Sequence, residues 1–215
     1  MKKTKLGKRK KRSDIKNILL LIIIRREGPV GRYRLKEMLD LSHREGLVRL
    51  MLTDLKREGY LKTSKSGSEL TSIGHAYIKK IFKKNDILAV KELNLERFGI
   101  EANSFIIHLQ NQLIPKPVVE LRDIAVKAGA SGAIILLFKK ERLIVPTVYP
   151  DLSLNHPELA NTLRYNFELS EEDALIICFS KNKWRALESC LSVTLFLSKL
   201  RINKNKELID LTHGR

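Results

Sequence analysis

The sequence predicts an α+β fold in two parts, an N-terminal winged helix-turn-helix and a C-terminal mixed α/β domain with a largely antiparallel sheet plus helices. The first observation is a series of apolar-periodic helical segments followed by two short strands, within residues 13–85. The second is an irregular mixture of strands and helices over residues 86–203, which is typical of α+β domains. The third is charge, because residues 1–90 contain 24 Lys and Arg against 9 Asp and Glu, whereas the rest of the chain contains 17 against 15.

The chain begins with a strongly basic segment. Residues 1–12 include eight lysines or arginines and few apolar residues, so we expect a flexible arm. Ser13 is the expected N-cap of a first helix, which should end near Glu27 because Gly28 and Pro29 follow. The apolar residues of this helix are distributed around nearly its whole circumference, which predicts a position at the centre of the core.

Two shorter helices are expected next. The second covers residues 32–40. Ser42 and Glu45 have the spacing of a capping box, so a third helix should begin at Ser42 and end near Glu58. Its inward face is predicted from three apolar residues at helical spacing, namely Val48, Leu52 and Leu55.

A hairpin and a fourth helix complete the N-terminal pattern. Residues 60–63 and 69–71 have strand character and flank a polar turn. A helix over residues 72–84 follows, and Asn85 and Asp86 mark the expected domain boundary. This order resembles that of winged-helix regulators, and the residues that carry the resemblance are Leu52, Leu55, Gly59, Tyr60, Leu61, Gly67, Leu70, Thr71 and Gly74.

A helix of this plan fits the major groove of DNA, with its outward side chains against the base edges. Because the inward face is apolar, the residues expected to face outward on the third helix are His43, Arg44, Gly46, Arg49 and Thr53. Of these, we expect Arg44, Arg49 and His43 to read bases, while Gly46 allows a close approach. Phosphate contacts are expected from the second helix, the wing and the arm, through Arg32, Arg34, Lys62, Lys65, Lys8, Arg9, Lys10, Lys11 and Arg12.

Two apolar residues of the third helix also face outward in this pattern. Leu47 and Leu50 pack beneath the first two helices, contact thymine methyl groups or belong to a dimer contact. Packing is the favoured interpretation.

The C-terminal half contains motifs that resemble a known family. Residues 120–146 combine an "ELRD-x-A" helix, a "GA-x-GA" turn, an aliphatic strand and an "L-x-x-P" ending. This segment resembles archaeal winged-helix proteins with a C-terminal domain of unknown function (DUF4443). The resemblance implies a winged helix followed by this domain, and by analogy transcriptional regulation, without ligand or catalytic residues to transfer. The hairpin turn over residues 139–142 departs from the family because it lacks a glycine.

The sequence contains no signature of an enzyme. Residues 129–132 lack the Lys-Ser/Thr ending of a phosphate-binding loop, and the five histidines are scattered without metal-ligand spacing. We therefore expect no catalytic activity, no cofactor and no metal. Cys178 and Cys190 are expected to be buried thiols in a reducing compartment. The apolar run over residues 18–24 is too short to span a membrane, so a cytoplasmic protein without a membrane partner is predicted.

The predicted function is sequence-specific binding of double-stranded DNA by a transcriptional regulator. The C-terminal domain would either sense a small-molecule effector in a pocket between sheet and helices or form a homodimer. A stripe on the helix over residues 181–200 either covers the sheet or forms the dimer interface, and it consists of Trp184, Leu187, Leu191 and Leu195. Residues 204–215 are expected to form a tail. The alternative function is a non-specific nucleic-acid or protein-assembly module with an RNA or ribonucleoprotein partner.

Overall fold

The computed structural model of the protein describes the backbone of residues 3–100, 102–112, 114 and 117–213. Side chains are described for residues 15–100, 102–112, 114 and 117–202. The chain divides into two compact units, Met1–Phe82 and Lys83–Arg215, here named unit 1 and unit 2. Unit 1 is mainly helical and unit 2 is rich in strands, which confirms the predicted α+β class.

Unit 1 consists of helices with one hairpin, and its last helix continues across the division between the units. The elements are α1 (Lys3–Glu27), α2 (Arg32–Met38), α3 (Glu45–Arg57), β1 (Leu61–Ser64), β2 (Gly67–Leu70) and α4 (Ser72–Lys84). This is the element order that the sequence predicts. The core is formed by residues 19–24 of α1 together with the apolar faces of the other helices.

The first helix begins earlier than predicted. It starts at Lys3 and passes through Ser13 without a break, so Ser13 is not its N-cap, and residues 3–12 are helical. The physical reason is that lysine and arginine have high helix propensity, and no proline interrupts residues 3–12. A helix that is already anchored by buried residues 19–24 extends into such a segment without a new nucleation step.

The third helix begins later than predicted. Its first residue is Glu45, and the N-cap position is occupied by Arg44, which makes no side-chain capping hydrogen bond. The predicted capping box at Ser42 and Glu45 is therefore wrong. Leu41 is buried, and its carbonyl accepts a hydrogen bond from the Arg44 amide at 2.8 Å. This closed turn keeps residues 42–44 outside the helix.

The hairpin of unit 1 is held against the segment between α1 and α2. β1 and β2 pair antiparallel, with Leu61 opposite Leu70 and Ser64 opposite Gly67. The Val30 amide donates to the Ser68 carbonyl at 3.1 Å, and the Ser68 amide donates to the Val30 carbonyl at 2.9 Å. The hairpin is thus tied to the start of α2, and its tip at Lys65 and Ser66 is left exposed.

Unit 2 is built on a five-stranded antiparallel sheet with the order β3-β4-β7-β5-β6. Its strands are β3 (Ile87–Leu93), β4 (Asn103–Leu109), β5 (Gly132–Lys139), β6 (Arg142–Ile144) and β7 (Ala174–Ser180). A short 3-10 turn over Glu96–Phe98 connects β3 and β4. The helices are α5 (Val119–Ala128), α6 (Leu152–Asn155), α7 (Pro157–Asn166) and α8 (Lys183–His213).

Helices cover both faces of the sheet. On one face α6 and α7 pack through Leu152, Leu159 and Leu163 against strand residues such as Ile106 and Leu175. On the other face α5 and α8 pack on β4, β5 and β7. The alternating side-chain directions of β4 and β7 account for this, since both faces of these central strands are buried.

For unit 2 the sequence predicts strands over residues 87–90, 104–109, 133–138, 143–147 and 174–179, and helices over residues 118–128, 157–167 and 181–200. Each of these overlaps an observed element, and the structure makes two additions. The four-residue helix α6 is not predicted from the sequence, and its N-cap Asp151 accepts a hydrogen bond from the Ser153 amide. The last helix was expected to end near Leu200, but it continues to His213, so the predicted C-terminal tail is helical over residues 204–213. Among the residues that the structure describes, no helix is long and apolar enough to cross a bilayer.

The glycine-free turn between β5 and β6 adopts a left-handed conformation at two residues. Lys140 and Glu141 have φ values of 50° and 58°, and Lys139 pairs directly with Arg142. A two-residue hairpin requires positive φ at both central positions, which glycine or asparagine usually supplies. Here the Lys140 amide donates to the Glu171 carboxylate at 2.8 Å, which helps to hold this less favourable backbone.

Candidate nucleic-acid interface

The outward face of α3 is the centre of the candidate site. Val48, Met51, Leu52 and Leu55 are buried, which confirms the inward face that the sequence predicts. The opposite side of the helix is exposed over its whole length and consists of Gly46, Arg49, Leu50, Thr53, Lys56 and Arg57. Since these residues recur every three or four positions, they form one continuous strip.

Three of the five residues predicted on this helix lie on that strip, and two do not. Gly46, Arg49 and Thr53 are exposed on α3. His43 and Arg44 are also exposed, but they lie in the turn before the helix. Their predicted place on the third helix is wrong because the helix starts at Glu45. They flank the N-terminal end of α3, where unpaired backbone N–H groups and the helix dipole attract anions.

The Thr53 hydroxyl is already engaged within the helix. It donates to the Arg49 carbonyl at 2.9 Å. Thr53 can therefore offer an acceptor lone pair or its methyl group to a ligand, but its hydroxyl proton is taken. Arg57, which the sequence analysis did not select, pairs with Asp54 at 2.9 Å.

Three of the cations predicted to bind phosphate each form an ion pair with an acidic side chain. Arg32 pairs with Glu45 at 3.1 Å, Arg34 with Glu27 at 3.2 Å, and Lys62 with Glu69 at 3.1 Å. All three cations are at least partly exposed to solvent. Exposed pairs of this kind contribute about 0–1 kcal/mol, so a phosphate can replace the carboxylate.

The electrostatics of the Lys62 pair are visible at its partner. Hydrogen bonds from Ser64 and then Lys62 lower the pKa of Glu69 below its ordinary value. Glu69 lies directly across the hairpin from Lys62. The ionised Glu69 carboxylate thus lies beside Lys62 in the free protein and offsets part of its positive charge.

Other cations of unit 1 are open to an anionic ligand. Arg44, Arg49 and Lys65 are exposed, and none of them forms an ion pair with another residue that the structure describes. Unit 1 contains 22 lysines and arginines against 8 acidic residues, a net charge of +14. The arm residues Lys8, Arg9, Lys10, Lys11 and Arg12 lie on α1, but their side chains are outside the described residues.

An exposed aromatic residue lies beside the predicted phosphate contacts of α2. Tyr33 is 63% exposed, and the guanidinium of Arg32 and the ammonium of Lys36 lie 5.1 and 5.6 Å from its ring centroid. Neither Tyr33 nor Lys36 is among the site residues predicted from the sequence. The available signal was the alternation of basic and aromatic residues at the start of α2.

A buried polar pair connects two segments of unit 2. The His108 Nε2 and a carboxylate oxygen of Asp173 are 2.8 Å apart, and both side chains are buried. Asp173 also accepts hydrogen bonds from the amides of Asn111 and Ser170 at 3.1 and 2.9 Å. Asp173 thus ties β4 to the loop before β7, which is a structural role.

The helical stripe of unit 2 lies against the sheet, and apolar side chains fill the region between sheet and helices where an effector pocket is predicted. Trp184, Leu187 and Leu191 are buried and Leu195 is partly buried, and α8 packs on β4 and β7, so this stripe covers the sheet. Both faces of the sheet are filled by buried apolar side chains. A surface depression lies instead at the ends of β3 and β4, and it is lined by Glu92, Leu93, Asn94, Glu96, Ala102, Asn103, Ser104 and Lys181.

The remaining candidate chemistry in unit 2 is limited. Cys178 and Cys190 are buried free thiols, and burial raises the pKa of Cys178 well above its ordinary value, with a further contribution from Cys190. Within the part of the chain that the structure describes, no three His, Cys, Asp or Glu residues come together as metal ligands.

Fold and site together define an α+β protein with a basic helical unit and a sheet-rich unit. Residues 98–198 match the family model described as domain of unknown function (DUF4443). The chain is also similar to the solved structure of a hypothetical protein from Pyrococcus horikoshii OT3, with a TM-score of 0.68 and 26% identity, over 87% of this chain and 94% of that chain. The comparison with curated proteins gives no match. Unit 2 therefore contains a DUF4443 domain, as the motifs in residues 120–146 predict.

Proposed function

We propose that this protein is a transcriptional regulator that binds specific sequences of double-stranded DNA. Unit 1 would act as a winged helix-turn-helix, with α3 as the recognition helix and the β1-β2 hairpin as the wing. The observation that carries the proposal is the exposed strip of α3, where Arg49 has no ion-pair partner among the described residues and the opposite helix face is fully buried.

The dimensions of α3 suit the major groove. A helix with its side chains is about 10–12 Å across, and the major groove of B-DNA is about 12 Å wide. Gly46 is exposed in the first turn of α3, and a methyl group there would meet no heavy atom within 4 Å. The N-terminal half of α3 can therefore approach base edges closely, as recognition helices do.

The cations around α3 would divide into two groups. Arg44, Arg49 and Lys65 are available at once, and each can neutralise a phosphate or contact a base. Arg32 and Lys62 must first leave their carboxylate partners, so they would add less to affinity. His43 would supply a further contact beside the N-terminal end of α3.

The DUF4443 domain would regulate this binding, either by forming a homodimer or by sensing an effector. Two-fold symmetry would suit a palindromic site. Because three of the four residues of the α8 stripe, namely Trp184, Leu187 and Leu191, are buried in their own unit, a dimer interface would use another surface of the domain. For an effector, the depression at the ends of β3 and β4 is the place to examine.

The first test is direct binding to DNA by the full chain. Fluorescence anisotropy with a labelled duplex of about 30 base pairs, long enough for two half-sites, is compared for the wild type and Arg49→Gln over a salt series. Lys127→Gln is the matched control, because Lys127 is exposed on α5 of unit 2. We expect Arg49→Gln to weaken binding and Lys127→Gln to leave it unchanged. If Arg49 contacts a base, the loss is about 1–3 kcal/mol for specific sequences; if it contacts a phosphate, affinity falls for all sequences and depends less steeply on salt concentration.

Two results would count against the proposal. Equal affinity of the wild type and Arg49→Gln for every duplex would remove α3 from the interface. Tighter binding to single-stranded RNA of the same sequence would support the alternative of an RNA or ribonucleoprotein module.

A further inference from the structure

Leu50 is an exposed apolar residue at the centre of the outward face of α3. Its side chain is 56% exposed. The inward face is complete without it, since Val48, Met51, Leu52 and Leu55 fill the core side of the helix. Single exposed leucines are common on protein surfaces, so exposure alone means little. The position of Leu50 in the strip is what gives it meaning.

The neighbours of Leu50 make the middle of this strip apolar. Helical side chains lean toward the preceding turn, so the Leu50 side chain lies over the turn that contains Gly46. Gly46 has no side chain, and a methyl group there would meet open space. One turn beyond Leu50, the Thr53 hydroxyl donates to the Arg49 carbonyl, which leaves its methyl group and acceptor lone pairs for a ligand. Gly46, Leu50 and Thr53 are here named the apolar strip.

Cations border this apolar strip on the same helix and in the turn before it. Arg49 is exposed beside Leu50, and Arg44 precedes the first turn of α3. An apolar strip with arginine at its edge matches one surface of the major groove. There, the C5-methyl group of thymine is the only apolar group among the base edges, and phosphates line both sides.

We propose that Leu50 is a specificity-determining residue that recognises thymine through its C5-methyl group. This inference rests on the proposed function, because it places α3 in the major groove. Arg49 and Arg44 then supply polar base or phosphate contacts, and Leu50 selects a T·A pair at the position opposite the first two turns of α3. The preference comes from removing two apolar groups from water, which is worth about a fourfold change in affinity for one methyl group.

The Leu47 side chain does not compete for this role. It is partly buried, whereas Leu50 is exposed, so the two outward leucines of the sequence pattern differ in environment. Packing beneath the other helices, the favoured sequence interpretation for both, fits Leu47 and does not fit Leu50.

The experiment separates the methyl group from every other feature of the base. The full chain first selects a duplex from a random library, and that duplex is then prepared with each thymidine replaced singly by deoxyuridine, which removes only the methyl group. Affinities are measured for the wild type, Leu50→Ala and Leu88→Ala. Alanine favours the helix and Leu50 is exposed, so Leu50→Ala keeps the fold. Leu88 is 50% exposed on β3 of unit 2 and serves as the control.

The expected result is at least one thymine position at which uracil weakens the wild type and Leu88→Ala about fourfold but leaves Leu50→Ala unchanged. If uracil has the same effect on Leu50→Ala as on the wild type at every position, or no effect anywhere, the role of Leu50 is overturned while DNA binding stands. If the wild type selects no duplex at all, the proposed function itself fails, and the two failures are thereby distinguished.

Discussion

Replacing Gly67 with alanine should disrupt the hairpin of unit 1, whereas the same change at Gly59 should be mild. Both glycines have positive φ, +131° at Gly67 and +77° at Gly59. A Cβ at Gly67 would lie 2.5 Å from the carbonyl carbon of Val30 and 2.8 Å from the amide nitrogen of Gly31. At Gly59 the nearest heavy atom would be a side-chain carbon of Ile73, at 3.9 Å.

The difference in cost follows from these distances. An L residue in a left-handed conformation costs roughly 1–2 kcal/mol, which applies to both variants. At Gly67 the clash involves backbone atoms, so it is relieved only by moving the hairpin away from Val30. That movement breaks the two hydrogen bonds between Val30 and Ser68, each worth about 1 kcal/mol. We therefore expect a loss of roughly 3–4 kcal/mol for Gly67→Ala against roughly 1–2 kcal/mol for Gly59→Ala.

Hydrogen exchange of the full chain measures the loss of hairpin stability at individual backbone amides. The amides of Val30 and Ser68 should lose protection in Gly67→Ala and keep most of it in Gly59→Ala. Trp184 is the single tryptophan and is buried in unit 2, so its fluorescence reports whether the other unit stays folded. Equal protection of the two amides in both variants would refute the argument from backbone contact.

Three further changes test the ion pairs and the core. Glu45→Gln removes the carboxylate that pairs with Arg32 at 3.1 Å. The affinity for duplex DNA should therefore rise up to about fivefold at low salt, and this gain should vanish at high salt. A gain in affinity that is the same at every salt concentration would contradict this explanation. Asp173→Asn replaces one of two carboxylate oxygens, both of which accept hydrogen bonds, with an NH2 donor. The free energy of unfolding of unit 2 should fall by roughly 2–4 kcal/mol in urea titrations, whereas an unchanged midpoint would show that the pair is dispensable. Because burial raises the pKa of Cys178, its thiol should resist alkylation at mildly alkaline pH until unit 2 unfolds. Rapid alkylation of Cys178 in the native protein would contradict this prediction.

The order of the helices and strands could be predicted because it depends on hydrophobic periodicity. The inward residues Val48, Leu52 and Leu55 are buried as expected, since a 3.6-residue repeat places them on one side of any helix that contains them. The hairpin follows from the turn residues between two short strands in the same way. The motifs in residues 120–146 also predict the family whose model matches residues 98–198.

The helix ends could not be predicted, because local signals compete there with tertiary contacts. Ser42 has the spacing of a capping box, but burial of Leu41 closes a turn that delays the helix to Glu45. Ser13 has the composition of an N-cap, but it lies inside a helix that begins at Lys3. One consequence for the candidate site is that His43 and Arg44 lie beside α3 and not on it.

The sequence also could not predict which cations form ion pairs. Arg32 and Glu45 are 13 positions apart, and their pairing depends on how α2 and α3 pack. Sequence alone therefore shows both Arg32 and Arg49 as available cations, whereas the structure pairs Arg32 with a carboxylate and leaves Arg49 without an ion pair among the described residues.

Selection from a random double-stranded DNA library, by the full chain at near-physiological salt, tests the central claim most directly. The proposal predicts an enriched motif that is lost or relaxed at one or more positions in Arg49→Gln, and two-fold symmetry in that motif would indicate a dimer. Recovery of duplexes without any enriched sequence, or no recovery at all, would contradict a sequence-specific regulator.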